Sequence, residues 1–236
     1  MSHSFSACSM HVVRNLLLAG TILTFSAVPA YADNITVVLF TGLSASSDPM
    51  PGMDILNTKL IAAFASVGIN SQVFGHTEQQ AAFDFIKAHR QDSCCLVVIG
   101  HSFGGDAVIE LATDFLNAAG ITINLSIQID SVGIGDEVLP DNVMRGINYF
   151  QISTGGLLEP QGAMNVVGAT NFNVEILFGV AADAITHTSI DDDARLHSRI
   201  VDDISDKCPE PTTMLLLGTG LAGVGIKMRK RLKRTN

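Results

Sequence analysis

The stretch from Cys95 to Gly105 constrains the fold more than any other part of this 236-residue chain. An apolar run, Cys95-Leu96-Val97-Val98-Ile99, leads into Gly100-His101-Ser102-Phe103-Gly104, and an apolar-periodic segment begins at Gly105. The pattern reads as a buried strand, a sharp turn and a helix, with Ser102 at the apex. The G-x-S-x-G spacing has a steric reason: the helix backbone returns close to the strand, so the flanking positions cannot carry side chains. The turn lifts the hydroxyl clear of the sheet. It also leaves Ser102 at a helix N-terminus, where backbone N–H groups favour developing negative charge.

Strands and helices alternate around this turn. Asn34 to Phe40 is an apolar, β-branched strand, and Met53 to Val67 carries helical spacing at Ile55, Leu60, Ala63 and Phe64. Asn70 to Phe74 reads as a strand, and a helix follows from Thr77 and Glu78 to about Arg90. Beyond the turn come a helix to about Ala119, a strand from Ile121 to Ile129, and a loop with a short helical turn near Val143. Strands at Ile147 to Ile152 and Asn171 to Leu177 follow, then a last helix opening near Ser189, where Asp192 gives capping-box-like spacing. Such alternation predicts an α/β fold with a mainly parallel sheet and helices on both faces. Ligands of such sheets sit beyond the carboxyl ends of the strands, the edge where Ser102 lies.

Both ends of the chain read as addresses rather than fold. Arg14, the apolar stretch Leu16 to Val28 and the small-residue ending Ala30-Tyr31-Ala32 make residues 1–32 a secretory signal peptide, with Asp33 as the first mature residue. The competing reading is a buried N-terminal helix. At the other end, Pro209-Glu210-Pro211 precedes a 15-residue apolar run, Thr212 to Ile226, and a basic cluster from Lys227 to Arg234. The run is shorter than the roughly 20 residues that cross a bilayer comfortably, and the cations behind it mark a cytoplasmic side. Residues 209–236 resemble the PEP-CTERM sorting signal of Gram-negative bacteria, whose defining tripeptide Pro209-Glu210-Pro211 matches. The resemblance implies a transient inner-membrane anchor, recognition by an exosortase, cleavage near the tripeptide and delivery to the periplasm, cell surface or exterior. A permanent C-terminal anchor is the alternative.

The 176 residues from Asp33 to Cys208 suffice for one domain and one core. They hold 22 acidic and 7 basic residues, a net charge of −15. Nucleic acid and anionic membrane surfaces repel such a domain, so the charge argues for a neutral or cationic substrate. Three cysteines remain in this span, and export permits a disulfide. Cys94 and Cys95 open the strand before the turn and Cys208 ends the last helix, so a bridge from Cys208 to either one is sterically feasible; three free thiols are the alternative.

A serine hydroxyl is a weak nucleophile and needs a base, an orienting acid and an oxyanion site. Five histidines lie in the span. His76 and His89 flank a helix ahead of the serine and read as surface residues. His101 sits inside the turn, where it packs. His197 shares an apolar helical face with Ile190, Ala194, Val201 and Ile204. His187 falls in a loop after the last strand. Asp130 ends the strand after the turn's helix, and Glu159 is the one other acid placed to follow a later strand. Asp191, Asp192 and Asp193 fit a helix first turn better than a metal site.

Ser102, Asp130 and His187, in that chain order, resemble the α/β-hydrolase superfamily of esterases, lipases and thioesterases, over most of Asn34 to Asp206. The resemblance implies His187 as base, with His197 as runner-up, and Asp130 as acid, with Glu159 as alternative. It implies an oxyanion hole from the N–H groups of Phe103 and of Leu43 or Gly42. The sequence departs from larger members in its compactness: the loops Ser44 to Gly52, Ser131 to Asn142 and Thr154 to Thr170 are too short for a full lid domain, and no cofactor or metal is expected. The expected activity is hydrolysis of a small-molecule or polymer ester through an acyl-enzyme, with thioester or amide cleavage alongside. A non-catalytic surface or matrix protein on the same scaffold is the competing reading. The expected partners are that substrate, signal peptidase and exosortase. Membrane contact is expected only through the C-terminal segment.

Overall fold

A computed structural model describes residues 34–43, 51–90, 93–133, 137–153 and 160–208. The expected signal peptide, the sorting tail 209–236 and Glu159 lie outside the described residues. The chain runs β1 (Asn34–Phe40), α1 (Pro51–Ala63), β2 (Ile69–Phe74), α2 (Gln79–His89), β3 (Ser93–His101), α3 (Phe103–Glu110), β4 (Leu125–Ile129), β5 (Gly146–Phe150), β6 (Ala169–Asn173), α4 (Val174–Phe178) and α5 (Ala194–Lys207). All six strands are parallel, in the order β2-β1-β3-β4-β5-β6.

Helices cover both faces of the β1–β3 centre, which is why these strands are continuous apolar runs rather than alternating ones. Val37, Leu39, Val97, Ile99 and Ile127 pack with Leu56 and Leu60 of α1 and Leu196, Ile200 and Ile204 of α5. One residue along, Val38, Phe40, Leu96 and Val98 point the other way and pack with Ala82 and Ile86 of α2, Val108 of α3 and Leu111 just beyond it. Each such side chain stabilises the fold by about 1.5–3 kcal/mol on burial. This period-2 alternation also selects the disulfide. Cys95 shares the face of Val97 and Ile99, against which α5 packs, and it is bonded to Cys208 with a Cα–Cα distance of 5.7 Å.

Several boundaries differ from the sequence expectation. The helix after Ser102 continues beyond Glu110 as a π-helical segment, Leu111–Leu116, in which Asn117 N–H reaches back to Ala112 O. The strand expected from Ile121 shortens to Leu125–Ile129, and Val143 forms an isolated bridge with Ile123 instead of a helical turn. The strand expected to end at Leu177 stops at Asn173, because the Asn173 side chain accepts from Ile176 N–H and caps α4. The last helix opens one turn later than expected. Asp193, not Ser189, is its N-cap, accepting from Arg195 and Leu196 N–H, while Ile190–Asp192 forms a separate 3-10 turn.

The strand order fixes where a site can form. The chain steps outward from β1 to β2, then returns to the opposite side of β1 with β3. The loops leaving β1 and β3 therefore diverge and open a crevice at the carboxyl edge. Thr41-Gly42-Leu43 leaves β1 there, and Ser102 leaves β3 there.

Candidate active site

Ser102 occupies the turn between β3 and α3 with φ of 55° and ψ of −127°, a backbone conformation that costs a non-glycine residue of order 1–3 kcal/mol. Its surroundings hold it there. Ser102 N–H donates to Ile129 O at 3.1 Å, and Ser102 O accepts from Gly105 N–H at 2.9 Å and Val132 N–H at 3.2 Å. The flanking glycines are required by contact: a Cβ at Gly100 would strike the carbonyl of Gly104, and one at Gly104 would strike the carbonyl of Phe40.

The structure brings Ser102, His187 and Asp130 together in one buried chain. His187 Nε2 lies 2.8 Å from Ser102 Oγ, and His187 Nδ1 lies 2.6 Å from Asp130 Oδ2. A carboxylate only accepts, so Nδ1 carries the proton and Nε2 presents a lone pair to the hydroxyl. Asp130 is fully buried, with φ of 44°, just past the tip of β4. Its Oδ2 also accepts from Gln151 Nε2 at 3.0 Å, and its Oδ1 accepts from Gly162 N–H at 3.1 Å and Gln151 N–H at 3.4 Å. Every contact of the carboxyl group is thus with a donor. Gln151 cannot turn its amide over, because Nε2 also donates to Pro160 O and Oε1 accepts from Ser153 N–H.

The expected oxyanion residues border the serine. A Cβ on Gly42 would lie 2.7 Å from Ser102 Cβ and 3.2 Å from Oγ, so the β1 loop passes directly against the hydroxyl. Phe103 is the first residue of α3, where a backbone N–H has no intrahelical acceptor. The side chains of Leu43 and Phe103 are 64% and 40% exposed, an apolar border to the crevice.

Residues 207–231 match the PEP-CTERM protein-sorting motif. No curated protein matches the chain. The motif implies recognition by an exosortase during export and sorting in a Gram-negative bacterium. Its first two residues, Lys207 and Cys208, are the end of α5 and one half of the disulfide, so the motif begins on the folded body. Among the described residues, no helix is long and apolar enough to cross a membrane.

The remaining candidates fall elsewhere. His76 is half-buried, with its ring 5.8 Å from that of Phe103, and His89 Nδ1 bonds Phe85 O at 2.9 Å. His197 is fully buried on α5, and its Nε2–H donates to Asp191 O, which removes it from competition for the base. Burial pushes its imidazole below the ordinary value. Asp192 and Asp193 stay at the surface end of the turn, but Asp191 is 3% exposed, and burial, then the charge of Asp192, pushes its carboxyl up to about 7. The sequence reading sets all three acids in the first turn of the last helix, whereas Asp191 lies ahead of that helix in the 3-10 turn Ile190–Asp192 and is buried.

Proposed function

We propose that this protein is an exported serine hydrolase that cleaves an ester through an acyl-enzyme on Ser102. The observation that carries the reading is the continuous buried chain from Asp130 Oδ2 through His187 to Ser102 Oγ, at 2.6 and 2.8 Å. In this reading Ser102 Oγ attacks the ester carbonyl while its proton passes to His187 Nε2. The His187 Nδ1–H bond to Asp130 holds the imidazole orientation and stabilises the cation that forms. The tetrahedral oxyanion develops toward the N–H of Phe103 and the Gly42–Leu43 backbone. His187 then returns the proton to the departing alcohol, and a water activated by the same nitrogen releases the acid.

Three further features support it. The site lies at the topological switch between β1 and β3. A positive φ at a serine between two contact-bound glycines is strain of the kind that presents a nucleophile. The apolar border of Leu43 and Phe103 suits an uncharged acyl or alcohol group, in a domain whose net charge repels anions. The sorting motif supports export, and in this reading the chemistry lies outside the inner membrane, after removal of residues 1–32 and release near Pro209.

Incubation of the folded protein with a fluorophosphonate probe tests the reading. Stoichiometric labelling of Ser102, absent in Ser102→Ala, is expected. A protein that stays unlabelled is a non-catalytic one on this scaffold.

A further inference from the structure

His101 stands beside the nucleophile in sequence and behind the base in space. It is 1% exposed, and its ring centroid lies 5.1 Å from that of His187. His101 Nε2 is 3.0 Å from the backbone carbonyl of His187. A carbonyl can only accept, so Nε2 carries the hydrogen and Nδ1 is a lone pair. That lone pair faces Asp191 Oδ2 at 3.5 Å. At this distance the two atoms pack against one another without a hydrogen bond, and among the described residues His101 Nδ1 has no hydrogen-bond partner. Burial, then the nearby His187, lowers the His101 imidazole to about 4, and burial raises Asp191 to about 7; both directions favour one proton on the pair, with no net charge.

Asp191 is itself wedged in place. Its carbonyl accepts from His197 Nε2–H, and a Cβ at Gly52 of α1 would lie 2.5 Å from its Oδ2 and 2.6 Å from its backbone carbonyl. The groups bearing on its carboxyl are His101 from β3, His187 from the loop, Asp192 from its own turn and His197 from α5, with Lys59 of α1 acting on His197. Residues 187–191 form the short arm that carries the base. His101 touches both ends of that arm, at the His187 carbonyl and at the Asp191 carboxyl.

We propose that His101 and Asp191 form a packed brace that positions His187 against Ser102, through the His101 Nε2–H bond to the His187 carbonyl and the Asp191 carboxyl group behind the His101 ring. They are positioning residues: neither touches the reacting atoms. The role in catalysis rests on the hydrolase reading; the brace itself does not. Because Ser102 and His101 are covalent neighbours, the residue that grips the base arm moves with the nucleophile.

The test compares His101→Gln, His101→Leu and Asp191→Asn in the full exported chain. The fluorophosphonate labelling rate and the ¹⁵N chemical shifts of the imidazoles are measured after circular dichroism establishes folding. Gln can donate to the His187 carbonyl, so His101→Gln labels within about threefold of wild type, while His101→Leu slows by about tenfold or more as the base loses alignment. Asn keeps the size and packing of the Asp191 side chain, so Asp191→Asn labels within about threefold of wild type. Wild-type labelling with an equally fast His101→Leu overturns the brace, as does labelling slowed about tenfold or more in His101→Gln or Asp191→Asn. If wild type does not label, the hydrolase reading fails and the brace is judged by the shifts alone. A protonated Nε2 and bare Nδ1 on His101, with His187 signals disturbed in His101→Leu, sustain it; a doubly protonated His101 or undisturbed His187 signals overturn it. If His101→Leu does not fold, His101→Gln and Asp191→Asn decide.

Discussion

Replacing Asp130 by Asn removes one charge without a steric change, and the structure dictates how the amide must sit. Asn tolerates the φ of 44° at this position as well as Asp does, so the backbone gives no reason to unfold. The Oδ1 position faces two fixed donors, the N–H groups of Gly162 and Gln151. The Oδ2 position faces the Gln151 amide and His187 Nδ1. An NH2 group at the first position opposes two backbone donors; at the second it opposes one donor and an imidazole that can change tautomer. Each opposed buried donor costs about 1–3 kcal/mol, so the second arrangement wins by about that amount. His187 then accepts on Nδ1 and carries its proton on Nε2, where it can no longer take one from Ser102. By analogy with known triads this costs about 10³- to 10⁴-fold in kcat/KM, or roughly 4–5.5 kcal/mol of transition-state stabilisation. The assay is kcat/KM on a short-chain p-nitrophenyl ester panel, with Tm measured alongside. Activity within tenfold of wild type would refute the reasoning, and loss in Glu159→Gln instead would move the acid to that residue.

Three further outcomes are expected. Cys95→Ser with Cys208→Ser removes a cross-link spanning 113 residues and should lower unfolding free energy by about 2–5 kcal/mol in urea, while Ser102 labelling persists because the bridge lies at the opposite end of β3. Gly42→Ala places a methyl 2.7 Å from Ser102 Cβ and 3.2 Å from Oγ, so it should lower Tm and cut kcat/KM at least about tenfold as the nucleophile is displaced. The raised carboxyl of Asp191 binds its proton more tightly in the folded state than in the unfolded one, so its contribution to stability is complete below about pH 4 and is lost as pH rises toward about 7. Asp191→Asn should therefore gain stability relative to wild type across that window; a difference in Tm that does not change with pH would contradict the assignment.

The centre of the fold was legible because it is repetitive. The runs at Asn34 to Phe40 and Cys95 to Ile99 are too apolar for anything but strands buried on both faces, and both faces are covered. Asp130 was legible as a neighbour of Ser102 because residues just beyond the adjacent parallel strands β3 and β4 converge on one edge, whereas His187, which lies beyond β6 and α4, was reached only through the chain order of the hydrolase resemblance. What escaped depends on tertiary context. The π-helical segment, the capping of α4 by Asn173 and the later start of α5 at Asp193 are each decided by single hydrogen bonds that periodicity does not encode. Gln151 and Gly162, which fix the Asp130 carboxylate, carry no motif, and Gly162 arrives from 32 residues away. His101 was read correctly as a packed residue, but its partners, the His187 carbonyl and Asp191, were visible only after the chain had folded.

The central claim is that Ser102 is a nucleophile activated by His187. Peptide mapping of the folded protein after fluorophosphonate treatment tests it most directly. The account predicts a single adduct on Ser102, lost in Ser102→Ala and slowed about a thousandfold or more in His187→Ala. An unreactive wild type, or an adduct that survives Ser102→Ala, would contradict it.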